Sequence, residues 1–379
     1  MKDYVSISVL GGSGVGKTNM FGGIDQAFMS SNVGGTNKVV VKAIPSRYDP
    51  KFSIEGTEMS PLLCEEVMEK LDPRRNMAVQ KDGVIRKAAS GTTETTHFYM
   101  DYKFLSTSEK SSLTVKYQDY KGGLISYRGN GLVDEESRKE RVEESKIIMN
   151  NLYESEICLL LIDGIKLAQY RNNDDMRKQM TGAFDINRIM NVVMDGERRG
   201  ITIIVMITKT DSDMIPEDLK ENNFEGLYKL ALDTLDPIKD QSEYMAANYN
   251  WNFSIIPVTA IGKGNSVTKK IDGVETSVIK ENANIKQENI DIAVLYGIKS
   301  ALSERVKVLT NSIATCENQI NRVRSKMGFF NTKAYRAEID ELESNKTKFL
   351  KMISQYMSIV STIDKGFSHQ MTAVRSVCQ

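Results

Sequence analysis

The sequence predicts an α/β fold: a mostly parallel central sheet with one antiparallel edge hairpin, helices on both faces, and a C-terminal antiparallel coiled-coil helical hairpin. Three observations predict it. Short apolar runs separated by polar, helix-like stretches recur along the first 300 residues. Two runs between them alternate strictly between apolar and polar residues. The last 80 or so residues carry apolar positions at alternating steps of four and three.

Val5–Leu10, Ile157–Ile162, Ile201–Ile207 and Ser254–Val258 are rich in Val, Ile and Leu. Continuous apolar strands of this kind belong to a parallel sheet covered on both faces. In Phe98–Phe104 and Leu113–Gln118 every second residue is apolar, and the polar link Ser106–Ser112 joins the two. That pattern is an antiparallel hairpin with one buried face, expected at the sheet edge.

About Asn32 to Ser90 lies a long tract with Gly34-Gly35, Pro45, Pro50, Pro61 and Pro73, and one expected helix at Pro61–Leu71. It is either a surface insertion or an enlarged lid, because connections of this length are usually functional or unstructured. The terminal pattern runs Leu302, Val306, Leu309, Ile313, Cys316, Ile320, Val323, Met327. It resumes after Gly328–Asn331 at Tyr335, Ile339, Leu342, Lys346, Phe349, Ile353, Tyr356, Val360, Ile363 and Phe367, with Lys346 alone breaking the seam. Two heptad stretches about a short turn make a helical hairpin, a surface for a protein partner or for a homo-oligomer. The expected division is 1–300 for the sheet domain, with its insertion at 32–90, and 301–379 for the hairpin.

Fifty basic and fifty acidic residues cancel, which argues against a nucleic-acid partner. Four scattered cysteines with no CxxC pair, and only His97 and His369, exclude a disulfide framework and a Cys/His metal site. Both histidines and the nineteen methionines are read as structural. Met1–Tyr4 runs straight into a strand and no uncharged apolar run approaches membrane-spanning length, so a cytoplasmic protein without a transmembrane segment is expected.

Gly11-Gly12-Ser13-Gly14-Val15-Gly16-Lys17-Thr18 matches G-x-x-x-x-G-K-[ST] between a strand and a helix start. Glycines turn backbone N–H groups of Gly12, Ser13, Gly14, Val15 and Gly16 toward phosphates, and the helix N-terminus through Thr18 and Asn19 adds partial positive charge. Lys17 is placed to reach the β- and γ-phosphates, and Thr18 to ligate Mg²⁺. Asp119-Tyr120-Lys121-Gly122 is a D-x-x-G at a strand end, where Asp119 suits Mg²⁺ and the Gly122 N–H suits the γ-phosphate. Thr208-Lys209-Thr210-Asp211 ends another strand. A carboxylate there pairs with guanine N1–H and its 2-amino group, which adenine lacks, while the Lys209 stem lies along the base. Val258-Thr259-Ala260-Ile261 offers small residues, Thr259 and Ala260, near guanine O6. All these segments end strands, where ligands of such sheets bind.

On those motifs residues 4–300 resemble the translation-factor-related (TRAFAC) class of P-loop GTPases, Ras-like in the broad sense. The resemblance implies GTP or GDP as bound nucleotide, Mg²⁺, and hydrolysis of GTP to GDP and phosphate in a switch or assembly protein. It implies guanine choice by Thr208–Asp211, and a first-switch threonine closing on Mg²⁺ and the γ-phosphate. Gly91-Thr92-Thr93-Glu94-Thr95-Thr96 offers four, of which the spacing to Phe98 favours Thr95, then Thr96.

Two departures stand out. Lys17 and Asp119 are 102 positions apart, so the first switch region is enlarged. Gly123-Leu124 stands where many relatives place a water-orienting Gln, which predicts slow unassisted hydrolysis. Help from a partner, from a second subunit in a self-associating mechanochemical GTPase, or from Arg128, Arg138 or Arg141 is the alternative to a scaffold with little turnover. The basic stretch Lys263–Lys270 is read as a surface loop near the base.

Overall fold

The computed structural model describes residues 3–12, 14–30, 39–49, 57–58, 78–81, 84–86, 96–105, 110–119, 146, 148–196, 198–271, 273–326 and 332–378. Its centre is five parallel strands, β1 (Tyr4–Gly11), β7 (Lys110–Asp119), β8 (Ile157–Asp163), β9 (Thr202–Thr208) and β10 (Asn252–Pro257), in the order β10-β9-β8-β1-β7. The apolar runs are continuous because both faces are covered. In β8, Ile157, Leu159 and Leu161 face one core, and Cys158, Leu160 and Ile162 face the other.

The alternating runs do form an antiparallel hairpin, β6 (Thr96–Leu105) with β7, but it is not at the edge. β7 pairs with β1 in the middle of the sheet, and β6 is covered by β2 (Val40–Asp49), then β3 (Thr57–Glu58). Part of the 32–90 tract thus belongs to the main sheet. Its Pro45 hid the strand. Proline lacks a ladder N–H and is usually confined to edges or bulges, and the β2–β6 register indeed shifts between Pro45 and Arg47. The expected helix Pro61–Leu71 lies outside the described residues. β13 (Arg375–Ser376) closes the other end of the sheet against β10.

A second, four-stranded sheet runs β11-β12-β4-β5. β11 (Ser266–Ile271) and β12 (Val274–Ile279) form a hairpin that adds β4 (Ala78–Lys81) and β5 (Val84–Arg86) from the insertion. The basic stretch is therefore largely strand and not loop. Lys269 and Lys270 sit on an edge strand, where lysines discourage further pairing.

Helices cover both faces. α1 (Lys17–Ser30) and the start of α7 (Ile290–Lys326) lie on one; α4 (Ala183–Met194), α5 (Glu217–Thr234) and α6 (Asp236–Tyr249) lie on the other, reached through α2 (Gly164–Gln169) and α3 (Asp174–Thr181). α7 runs unbroken for 37 residues across positions 300 and 301 and turns back into α8 (Thr332–Phe367). Leu302, Leu309, Tyr356, Ile359, Ile363 and Phe367 join the sheet core, while Ile320, Val323 and Ile339 make a separate distal cluster. Lys346, the polar break in the seam, reaches Glu317 across the hairpin at 2.5 Å. Near the base of the hairpin the buried Arg305 binds Glu156 through Nε at 2.6 Å and Nη2 at 2.7 Å. Among the described residues no helix is long and apolar enough to cross a membrane.

Candidate functional site

In-register pairing aligns the carboxyl ends of the parallel strands: Val9 opposite Asp119, Gly11 opposite Leu161, Asp163 opposite Thr208, and Ile207 opposite Pro257. The segments singled out in the sequence therefore emerge along one edge. Gly11–Lys17 links β1 to α1, with φ of 72° at Gly14 and 102° at Gly16, conformations that cost a side chain strain and leave glycine unhindered. Lys17 opens α1, is 6% exposed, and donates to the carbonyls of Gly11 at 2.7 Å and Gly12 at 3.0 Å. The lysine is folded back over its own loop. A Cβ on Gly12 would come within 2.9 Å of the Thr181 carbonyl, so the turn between α3 and α4 is packed against the loop.

Asn19, in the first turn of α1, has a buried Oδ1 with no hydrogen-bond partner among the described residues. Asp119 is the last residue of β7. Its side chain, that of Thr18, and all of Ser13, Thr95 and Gly122 lie outside the described residues, as do Gly123, Leu124, Arg128, Arg138 and Arg141. Gln118 is described: it is 1% exposed and its Oε1 accepts from Ser8 Oγ at 2.6 Å, so it is held in the core by that bond.

The Thr208–Asp211 segment is tied on both sides. Thr208 Oγ1 donates to the Val15 carbonyl at 2.9 Å, with the Ile162 carbonyl at 3.3 Å. Thr210 Oγ1 donates to the Val258 carbonyl at 3.1 Å. Thr259 Oγ1 then accepts from the N–H groups of Ile261 at 3.3 Å and Gly262 at 3.0 Å, shaping the next turn around Ala260. One chain of hydrogen bonds thus runs from the glycine-rich loop through Thr208 and Thr210 to Val258–Gly262.

Asp211 ends this segment with a buried Oδ2 that has no hydrogen-bond partner among the described residues. An orphaned buried carboxylate oxygen is costly unless a ligand supplies the donor. The residues present fit a guanine nucleotide: a turn of left-handed glycines at a helix N-terminus for the phosphates, and an unsatisfied acceptor for the base.

No protein-family model matches the chain, and no curated protein matches it. Among solved structures it is similar to a chain of the signal recognition particle receptor SRb-GTP/SRX complex from Chaetomium thermophilum, at 13% identity and a TM-score of 0.36. The likeness covers 70% of this chain and 94% of that one. At that identity and score it bears on no residue and on no activity.

Three contributions escaped the sequence reading, that of Thr210 although the residue stands within the segment singled out there. Asp163 ends β8 and binds Lys209; Thr210 anchors the segment sideways; Asn289 Nδ2 donates to the Pro257 carbonyl at 2.9 Å and steadies the strand end before Val258. Each acts through a tertiary contact between distant stretches of chain. Of the two outside that segment, Asp163 left a sequence trace, as an acidic residue directly after an apolar run.

Proposed function

We propose that the chain binds GTP with Mg²⁺ at this edge and hydrolyses it slowly unless assisted. In this reading the backbone of Gly12–Lys17 and the Lys17 ammonium hold the phosphates, and Thr18, Asp119 and Thr95 hold Mg²⁺, whose chemistry is to neutralise charge on the phosphate oxygens. Gly122 meets the γ-phosphate. Lys209, Thr259 and Ala260 border the base, and Asp211 accepts from guanine N1–H and N2–H. The observation that supports it best is Asp211 Oδ2: buried, lacking a described donor, and tied through Thr208 to the loop that would hold the phosphates.

The distance between binding and hydrolysis remains a matter of positioning a water and stabilising charge. With Gly123-Leu124 after the D-x-x-G, a partner supplies that group. A second copy is the reading favoured by the α7–α8 hairpin, where Val308, Leu350 and Met357 are about half exposed or more. Leu350 and Met357 are one heptad apart on α8.

The test is binding and turnover of GTP and ATP at several protein concentrations, with Lys17→Ala and Asp211→Asn alongside. GTP preference should weaken in Asp211→Asn, and turnover should vanish in Lys17→Ala. Equal binding of ATP by the unmodified chain overturns the guanine reading. Specific turnover that rises with concentration supports activation by self-association.

A further inference from the structure

Thr208 and Thr210 are fixed by their hydroxyls, but Lys209 between them is held differently. Its φ is 59°, in the left-handed region where a residue with a Cβ is strained and where glycine would sit at lower cost. A lysine there is explained by its side chain. Nζ donates to Asp163 Oδ2 at 2.6 Å, with the Lys209 side chain 34% exposed and that of Asp163 only 3% exposed.

Asp163 is itself immobilised. Its Oδ1 accepts from the N–H groups of Ile165 at 3.0 Å and Lys166 at 3.2 Å, capping α2. It faces Thr208 in the β8–β9 register. A Cβ on the neighbouring Gly164 would lie 2.7 Å from the Thr208 carbonyl, so the two strand ends approach as closely as backbone permits. One carboxylate thus joins the end of β8, the start of α2 and the tip of Lys209.

We propose that Asp163 is a positioning residue for the nucleotide base, acting through Lys209. The proposal rests on the guanine-nucleotide reading of the site. Two consequences of the geometry carry it. First, clamping Nζ fixes the lysine stem before any base arrives, so the rotamer freedom of a long side chain is not lost on binding. Second, Asp163 occupies the ammonium two residues from Asp211. That cation is the nearest in sequence that could otherwise satisfy Asp211 Oδ2, and holding it elsewhere leaves the acceptor open for the base.

The test compares three probes, GTP, GDP and inorganic tripolyphosphate, the last engaging the phosphate loop alone. Asp163→Asn keeps a good helix cap and removes the charge. GTP and GDP should bind about tenfold more weakly, with correspondingly faster GDP release, while tripolyphosphate affinity stays at the parent value. Lys209→Met retains the stem without the charge and should move the same way; it decides the matter if Asp163→Asn does not fold. The double variant should be no weaker than the weaker single variant, as expected for one coupled contact. GTP affinity at the parent value in either single variant, or an equal loss of tripolyphosphate affinity, overturns the proposal. Failure of the unmodified chain to bind GTP overturns the guanine reading first, and the proposal with it.

Discussion

Thr208 Oγ1 reaches across from β9 to the backbone carbonyl of Val15, 193 residues earlier, at 2.9 Å in a buried setting. The bond joins the strand end that carries Asp211 to the loop that carries Lys17, so the two halves of the proposed nucleotide site share one rigid connection. Thr208→Val conserves the side-chain volume and removes the donor, leaving the Val15 carbonyl unsatisfied. A loss of about 1–2 kcal/mol in denaturant-induced unfolding is expected. A fluorescent guanine nucleotide should also leave faster from the variant. Unchanged stability together with unchanged release would show that the contact is incidental.

Asp211→Asn carries a second expectation, in the absence of any nucleotide. The buried Oδ2 has no described donor, so the folded chain bears a desolvation cost that a neutral amide lowers. The nucleotide-free variant should be more stable than its parent by about 1 kcal/mol, even as its guanine preference falls. Thermal unfolding without nucleotide checks this; a lower Tm in the variant contradicts it.

The buried Arg305 binds the partly exposed Glu156 at 2.6 Å and fastens α7 to the start of β8. Removing Arg305 takes the cation from a carboxylate that is only partly open to water, and Arg305→Met should cost about 1.5–3 kcal/mol. Pairing it with Glu156→Gln should recover a large part of that loss, because the remaining penalty is then an uncharged one. Urea unfolding of the two single variants and the double gives the coupling directly.

Asp291, in the first turn of α7, has its carboxyl pushed above the usual 3.8, chiefly by burial, with bonds to its own N–H and that of Ile292 pulling the other way. A carboxyl raised in the folded state binds its proton more tightly there than when unfolded. It favours the fold below about pH 4, and this contribution is lost as the pH climbs through the raised value. Asp291→Asn should therefore raise Tm at pH 7, with the gain shrinking as the pH is lowered toward 4. A gain independent of pH would point to packing instead of ionisation.

The parallel strands were legible because burial on both faces writes itself as unbroken apolar runs, as in Ile157–Ile162. The hairpin of β6 and β7 was legible for the opposite reason, since along most of its length only one of its faces is buried. Its position was misread because β2, with Pro45, Arg47 and Asp49, carries neither pattern, and a strand that reads as irregular cannot be seen to cover an edge. β11 was lost under Lys269 and Lys270, charges that suit an edge strand as well as a loop. In the site, Gly11–Thr18 and Thr208–Asp211 announced themselves by spacing within a few residues. Asp163 did not: its partner lies 46 residues away, and only the β8–β9 register brings the two together.

Helix α7 begins at Ile290, two residues after the Glu288 that bridges to Thr259, and ends at Lys326 in the distal hairpin without a break. Thirty-seven residues make a rod of about 55 Å. Any rotation of its first turns is magnified along that length: a tilt of about 5° at the sheet swings the tip by about 5 Å, roughly the rise of one helical turn. A small rearrangement at its first turns would thereby become a displacement of several ångströms at the tip.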